Sequence, residues 1–244
     1  MRIKITVRYD GSAYCGWQIQ PNGVSVQEIL QNAISVVTGE KDILLVGSGR
    51  TDSGVHAEGQ VAHFDTQSSI PPNKFFRAIN VHLPSDIRVT DSQEVNEDFN
   101  ARKSAKQKTY CYSFYVDNTE NPLKDRFATF LDRMPDIEKM KKASALFIGK
   151  HDFKCFNASG GGAKTTVRTI YNIDIKDDDG IKIFVTGNGF LYNMVRTLCG
   201  TLLSVGYGEK SEEDIQKMLI TGDRKLCGKT LPAKGLCLVN VDYK

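Results

Sequence analysis

The spacing of apolar residues switches between two and about 3.6 along this chain, and the switches recur in nearly the same order in both halves. Ile3, Ile5 and Val7 alternate with Lys4, Thr6 and Arg8, which predicts a strand with one buried face. Ser25 and Glu28 form a capping-box pattern, after which Val26, Ile29, Leu30, Ala33, Ile34 and Val37 keep helical spacing up to Gly39. The apolar run 43–46 fits a central strand buried on both faces. Residues 60–64 predict another strand, 71–83 a second helix and 87–89 the core of a short strand. In the second half, 110–116 predicts a strand, and Asp136 opens a helix marked by Ile137, Met140, Ser144, Phe147 and Ile148. A hairpin is predicted over 167–175 and 181–186, helices over 190–205 and 211–220, and a closing strand over 235–243. Each half therefore reads β-α-β-β-α-β, the split βαβ arrangement, with one extra helix in the second. An α+β protein follows, its halves joined at the polar stretch 96–108 and separated by a cleft.

Charge narrows the partners more by distribution than by amount. The formal net charge is only +3. Yet Arg102, Lys103, Lys106 and Lys108 run without an acid, and Lys141, Lys142, Lys150, Lys154 and Lys164 face only Asp152 between Lys139 and Arg168. The acids gather at Asp91, Glu94, Glu97 and Asp98, and again at Asp174, Asp177, Asp178 and Asp179. Such segregation can give a positive face that attracts a polyanion; the plainer reading is a solvated surface. The six cysteines contain no C-x-x-C pair, and several lie in apolar stretches, so neither a disulfide framework nor a zinc site is expected. The N-terminus enters a strand pattern at once, and no apolar run nears the roughly 20 residues of a membrane span. These features predict a reduced, cytoplasmic chain outside the membrane.

Candidate chemistry concentrates in Gly47-Ser48-Gly49-Arg50-Thr51-Asp52-Ser53-Gly54-Val55-His56. Three glycines permit unusual backbone angles and close approach of another molecule. The ordinary reading is a turn whose aspartate bonds nearby N–H groups. A nucleotide-hydrolase phosphate loop is excluded, because the Gly-Lys-Ser/Thr ending is missing. Arg196 sits beside the uncharged stretch 197–205, so its helix should be buried and its guanidinium should need an anionic partner or a route out to solvent. Tyr110, Tyr112 and Phe114 share one strand face just after a basic stretch, which suits base stacking, although a sheet core explains Tyr112 and Phe114 better. His56 and His63 lack a third ligand at recognisable spacing, so no metal is expected.

At these residues the chain resembles the tRNA pseudouridine synthase A family, nearly end to end. The resemblance runs through Tyr9-Asp10-Gly11, Tyr14, Gly16-Trp17-Gln18, Gly49-Arg50-Thr51-Asp52-Ser53-Gly54-Val55-His56-Ala57 and Gln60-Val61-Ala62-His63-Phe64. It continues through Leu83-Pro84, Asp86-Ile87, Phe99-Asn100-Ala101-Arg102, Lys108-Thr109-Tyr110, Gly149, His151-Asp152-Phe153 and Arg168-Thr169-Ile170. Phe190-Leu191-Tyr192-Asn193-Met194-Val195-Arg196 and Pro232-Ala233-Lys234-Gly235-Leu236 complete it. The Arg-Thr-Asp-x-Gly-Val-His element is the specific part. Leu231 departs from the pattern, since alanine is common before the Pro-Ala pair; this bears on pocket packing.

The resemblance implies a pseudouridine synthase fold, with a mostly antiparallel sheet, helices packed on it and a central cleft. It implies an N-terminal half, 1–104, carrying the catalytic loop, and a C-terminal half, 105–244, completing the active site and RNA surface. It also implies a reaction that detaches uracil from ribose, rotates it and rejoins it through carbon, without cofactor or metal. Asp52 matches the catalytic aspartate, with attack on the base, attack on the sugar and removal of a sugar proton all open. Arg196 matches the arginine paired with it, Tyr110 the tyrosine on the target base, and Arg50 the arginine that displaces the base from its stack. Leu236 matches a pocket-lining residue. The implied substrate is the tRNA anticodon arm, around positions 38–40, and the implied assembly a homodimer. The rivals are a synthase acting on another RNA site and a non-catalytic RNA-binding module, since split βαβ halves also build RNA-recognition domains.

Overall fold

The computed structural model describes residues 1–160 and 162–244. They fall into two compact units, Met1–Lys106 with Cys237–Lys244, and Gln107–Leu236. Both mix helices with mainly antiparallel strands, an α+β architecture.

In the first unit, β1 (Arg2–Tyr9) buries Ile3, Ile5, Val7 and Tyr9 on the face set by the alternation. Helix α1 (Val26–Thr38) starts where Ser25 accepts a hydrogen bond from the Glu28 N–H, and stops at Gly39 in the left-handed region, φ 72°. Next come β2 (Val46–Gly47), β3 (His56–Asp65), α2 (Phe75–Asn80) and β4 (Ile87–Val95). Strand β1 lies antiparallel between β3 and β4. The expected central strand at 43–46 is absent. Ile43 and Leu45 are buried but Leu44 is 71% exposed, so only Val46 and Gly47 pair, against His63 and Ala62. Helix α2 is also shorter than 71–83, because Pro72–Lys74 forms a 3-10 turn first. Strand β3 begins at His56, immediately after the Asp52 loop, and so fixes the end of that loop.

In the second unit, β5 (Gln107–Val116) pairs antiparallel with β9 (Ile181–Gly187), which pairs with β8 (Val167–Asp177) as the hairpin expected. Two strands had no signal in the sequence. They are β6 (Thr129–Leu131), parallel to β5, and β7 (Gly149–Asp152), antiparallel to β8. Helix α3 (Ile137–Ser144) is capped by Asp136, and α5 (Glu212–Thr221) by a full capping box between Ser211 and Asp214. Helix α4 (Met194–Gly206) is buried as predicted but starts four residues after 190, behind Asn193 at φ 59°. Because of β6 and β7 the second half does not repeat the first. The chain's last strand, β10 (Leu236–Asp242), pairs in parallel with β3 through Cys237↔His56 and Leu238↔Ala57. Cys237–Lys244 belongs to the first unit.

Candidate active site

The loop carrying Arg50 and Asp52 leaves β2 and enters β3, and its backbone is fixed at nearly every step. Ser48, fully buried, donates its N–H to Val61 O at 2.7 Å and its hydroxyl to Gln60 Oε1 at 2.6 Å. Gln60, also fully buried, donates from Nε2 to Gly49 O at 3.1 Å. Thr51 is 6% exposed; its Oγ1 lies 2.8 Å from the Tyr9 hydroxyl and its carbonyl accepts from Trp17 N–H at 3.1 Å. The Val55 N–H closes a turn onto Asp52 O at 3.1 Å, with Gly54 at φ 77°. Between these anchors Asp52 is half-buried and Arg50 exposed. A carboxylate on a rigid loop, only partly withdrawn from water, is placed to meet a ligand without spending entropy on ordering itself.

Motifs that looked like scattered short matches turn out to brace this loop. At φ 103°, Gly16 lies so close that a Cβ there would stand 2.5 Å from Thr51 O. The Trp17 indole lies on Gly47, where a Cβ would collide with it, and its ring centroid is 6.1 Å from that of Tyr9. Burial raises the pKa of the Tyr9 phenol far above its ordinary value, keeping it a neutral hydrogen-bonding partner of Thr51. The Tyr14 carbonyl accepts from Ser53 Oγ, and the Tyr14 hydroxyl donates to Asp86 Oδ1 at 2.7 Å. His56 Nδ1 lies 3.1 Å from both the Gly11 N–H and an Asp10 carboxylate oxygen. The amide donor requires that nitrogen unprotonated and an ion pair requires the reverse; a backbone proton cannot turn away, so acceptance from Gly11 is the consistent reading. His63 Nδ1 accepts from the Ala101 N–H at 3.1 Å, and burial lowers its pKa. The two histidines are seven residues apart on one strand, about 20 Å, and cannot share a metal ion.

Tyr110, Arg196 and Leu236 lie in the second unit. Tyr110 is 8% exposed on β5, with its ring edge-on to Phe190 at a centroid distance of 5.3 Å. Arg196 occupies the first turn of α4 and is half-buried. Its Nε donates to Leu231 O at 2.7 Å and its Nη1 to Asn193 Oδ1 at 2.7 Å. Those bonds aim the guanidinium, and its charge reaches the Tyr112 phenol. The Leu231 carbonyl is held in place because segment 228–231 lies directly on α4: a Cβ at Gly200 would collide with Lys229 O, and Thr230 Oγ1 bonds Thr197 Oγ1 at 2.9 Å. Tyr112 donates to Pro232 O at 2.8 Å, so it supports this segment as core, the ordinary reading of that residue. Leu236 is 6% exposed. Sequence reading missed Asn193 and Gln60 as positioning residues, although both stand inside the motifs that carry the resemblance.

The basic residues divide. Lys141 and Lys142 pair with Glu138 and Glu212, at 2.8 and 2.7 Å. Arg102, Lys103, Lys106, Lys150, Lys154 and Lys164 are exposed and, among the described residues, have no carboxylate within salt-bridge distance. Among the described residues no helix is long and apolar enough to cross a membrane.

Known proteins resemble this chain over nearly its whole length. The family described as tRNA pseudouridine synthase matches residues 5–102 and 143–244. The tRNA pseudouridine synthase A 2 of Clostridium perfringens (strain 13 / Type A) is 48% identical over 244 residues, covering 99% of both chains. The tRNA pseudouridine synthase A of Citrifermentans bemidjiense is 47% identical over 99% of this chain and 97% of its own. That of Ruminiclostridium cellulolyticum is 47% identical over 99% of both.

Proposed function

Since this chain belongs to the tRNA pseudouridine synthase family, we propose that it isomerises uridine to pseudouridine in the anticodon arm of tRNA, at positions 38–40, with Asp52 as the carboxylate on which the reaction depends. The N1–C1′ bond of the nucleotide breaks, a C5–C1′ bond forms, C5 loses its proton and N1 gains one, so the step is an isomerisation that needs no external electron acceptor. The observation that carries the proposal is the Asp52 loop, with its backbone fixed by Gln60, Tyr9 and Trp17 and its carboxylate half-exposed.

The remaining assignments follow the chemistry of each position. A stacked or paired uridine must leave its stack before C1′ can be reached. Exposed on the same loop, Arg50 suits insertion where the base was. Tyr110 presents an aromatic ring for stacking on the extruded base, Arg196 a guanidinium already oriented by Leu231 and Asn193, and Leu236 an apolar pocket wall. The six unpaired bases supply phosphate contacts. The enzyme works in the cytoplasm, where its tRNA substrate is, as a homodimer; sedimentation showing a monomer at working concentration would overturn that part. The test of the activity is to map pseudouridine in tRNA from cells with and without the protein. Loss at 38–40, restored by the wild-type gene, is expected; unchanged tRNA beside a changed ribosomal site would overturn the assignment.

A further inference from the structure

Cys155 and Cys227 are 72 residues apart in sequence and meet in the second unit. Cys155, 1% exposed, lies in the 3-10 turn Lys154–Phe156, and Cys227, half-buried, follows the 3-10 turn Arg224–Leu226. Cys227 Sγ lies 3.4 Å from Cys155 O, which also accepts from Arg224 Nη1 at 2.9 Å. Cys155 Sγ donates to Met218 O at 3.4 Å. Arg224 Nη2 also donates to Thr230 Oγ1 at 2.7 Å and Thr197 Oγ1 at 3.2 Å, which orients the guanidinium.

We propose that Cys155 and Cys227 are a redox-modifiable dithiol, in which Cys227 reacts with a small-molecule disulfide such as oxidised glutathione and Cys155 resolves the adduct into an intramolecular disulfide. Exposure supports the division of roles: a small disulfide can reach half-buried Cys227, while Cys155 lies behind it, 1% exposed. The neighbouring Cys155 thiol holds the Cys227 pKa below that of an ordinary thiol, helped by Arg224 and Lys210 and opposed by burial and Asp223. The neighbouring Cys227 sulfur and burial push the Cys155 thiol up. The Cys227 thiolate attacks one sulfur of oxidised glutathione, releasing one glutathione thiolate. Cys155 then gives up its proton and attacks the Cys227 sulfur, expelling the second glutathione. Two protein thiols are oxidised and one disulfide is reduced to two thiols. The link would tie the 154–156 turn to the segment whose Gly228 N–H donates to Thr201 and whose Leu231 carbonyl holds Arg196.

The test incubates full-length protein in glutathione buffers of graded oxidised fraction, alkylates the remaining thiols and maps the peptides by mass. Wild type is expected to gain the Cys155–Cys227 link while Cys15 and Cys237, also half-buried, remain reduced. Cys155→Ser is expected to collect glutathione at Cys227, and Cys227→Ser to collect none at Cys155. The proposal is overturned if Cys15 or Cys237 carries glutathione at ratios where wild type still lacks the link. It is equally overturned if the adduct in Cys155→Ser spreads evenly over the half-buried cysteines. The wild-type arm decides even if a variant folds poorly, and no arm depends on tRNA turnover.

Discussion

Replacing Gln60 by leucine should loosen the Asp52 loop without touching any residue proposed to meet RNA. Leucine has a similar volume but no polar atoms. Gln60 is fully buried; its Oε1 accepts from Ser48 Oγ and from Val61 N–H at 3.2 Å, and its Nε2 donates to Gly49 O. Ser48 also bonds the Tyr243 phenol, so its hydroxyl retains a partner in the variant. The loss then rests on Val61 N–H and Gly49 O, each costing about 1–3 kcal/mol when a buried partner is removed. Better apolar transfer of leucine offsets about 1 kcal/mol. A net destabilisation of about 1–5 kcal/mol follows. The assay is urea unfolding followed by the fluorescence of Trp17, the chain's one tryptophan, 3% exposed and lying on the loop at Gly47. Turnover should fall with it, because Gly49 precedes Arg50 and Asp52. A midpoint shift worth less than about 0.5 kcal/mol, with wild-type turnover, would refute the idea that Gln60 holds the loop.

Gly16→Ala is expected to cost about 2–4 kcal/mol, because alanine at φ 103° is strained and its Cβ would press on Thr51 O; near-wild-type stability by the same assay would count against this packing. The His63 pKa lies below the ordinary 6.5, so the unfolded chain takes up the proton first. Stability is therefore full above that pH and declines as pH falls below it; urea midpoints should fall more steeply in acid for wild type than for His63→Gln, and parallel curves would contradict it. Alanine at Arg102, Lys103, Lys106, Lys150, Lys154 and Lys164 together should weaken tRNA binding and flatten its salt dependence, since each phosphate contact releases counterions. Titrations at several salt concentrations with equal slopes for both proteins would remove these residues from the RNA surface.

Elements with one dominant local signal were legible in the sequence. Strand β1 needed only its alternation, and α1 and α5 only their caps and periodicity. The run at 43–46 misled because continuous apolar character does not say which side chains point inward; Leu44 points outward. Strands β6 and β7 are three and four residues long, too short for a period to register. The closing strand was visible as a strand, but its partner was not, since pairing with β3 depends on tertiary packing. Among the candidate residues, Asp52 and Arg50 stood out through their glycine-rich loop, and Arg196 through an apolar helix. What held them was less visible. Asn193 orients Arg196 from a left-handed position that no composition rule marks, and Gln60 reads simply as one polar residue in a strand. Cys155 and Cys227 escaped because 72 residues separate them and neither belongs to a C-x-x-C pair.

The most direct measurement is single-turnover pseudouridine formation by Asp52→Asn enzyme in excess over tRNA, with tRNA affinity measured on the same preparation. Asparagine keeps the shape of the side chain and removes its ionised oxygen, while the backbone bonds that fix the loop remain. Pseudouridine should not form, and affinity should stay within about tenfold of wild type, roughly 1.4 kcal/mol. Substantial conversion by the purified variant would show that the reaction does not depend on this carboxylate and would contradict the account at its centre.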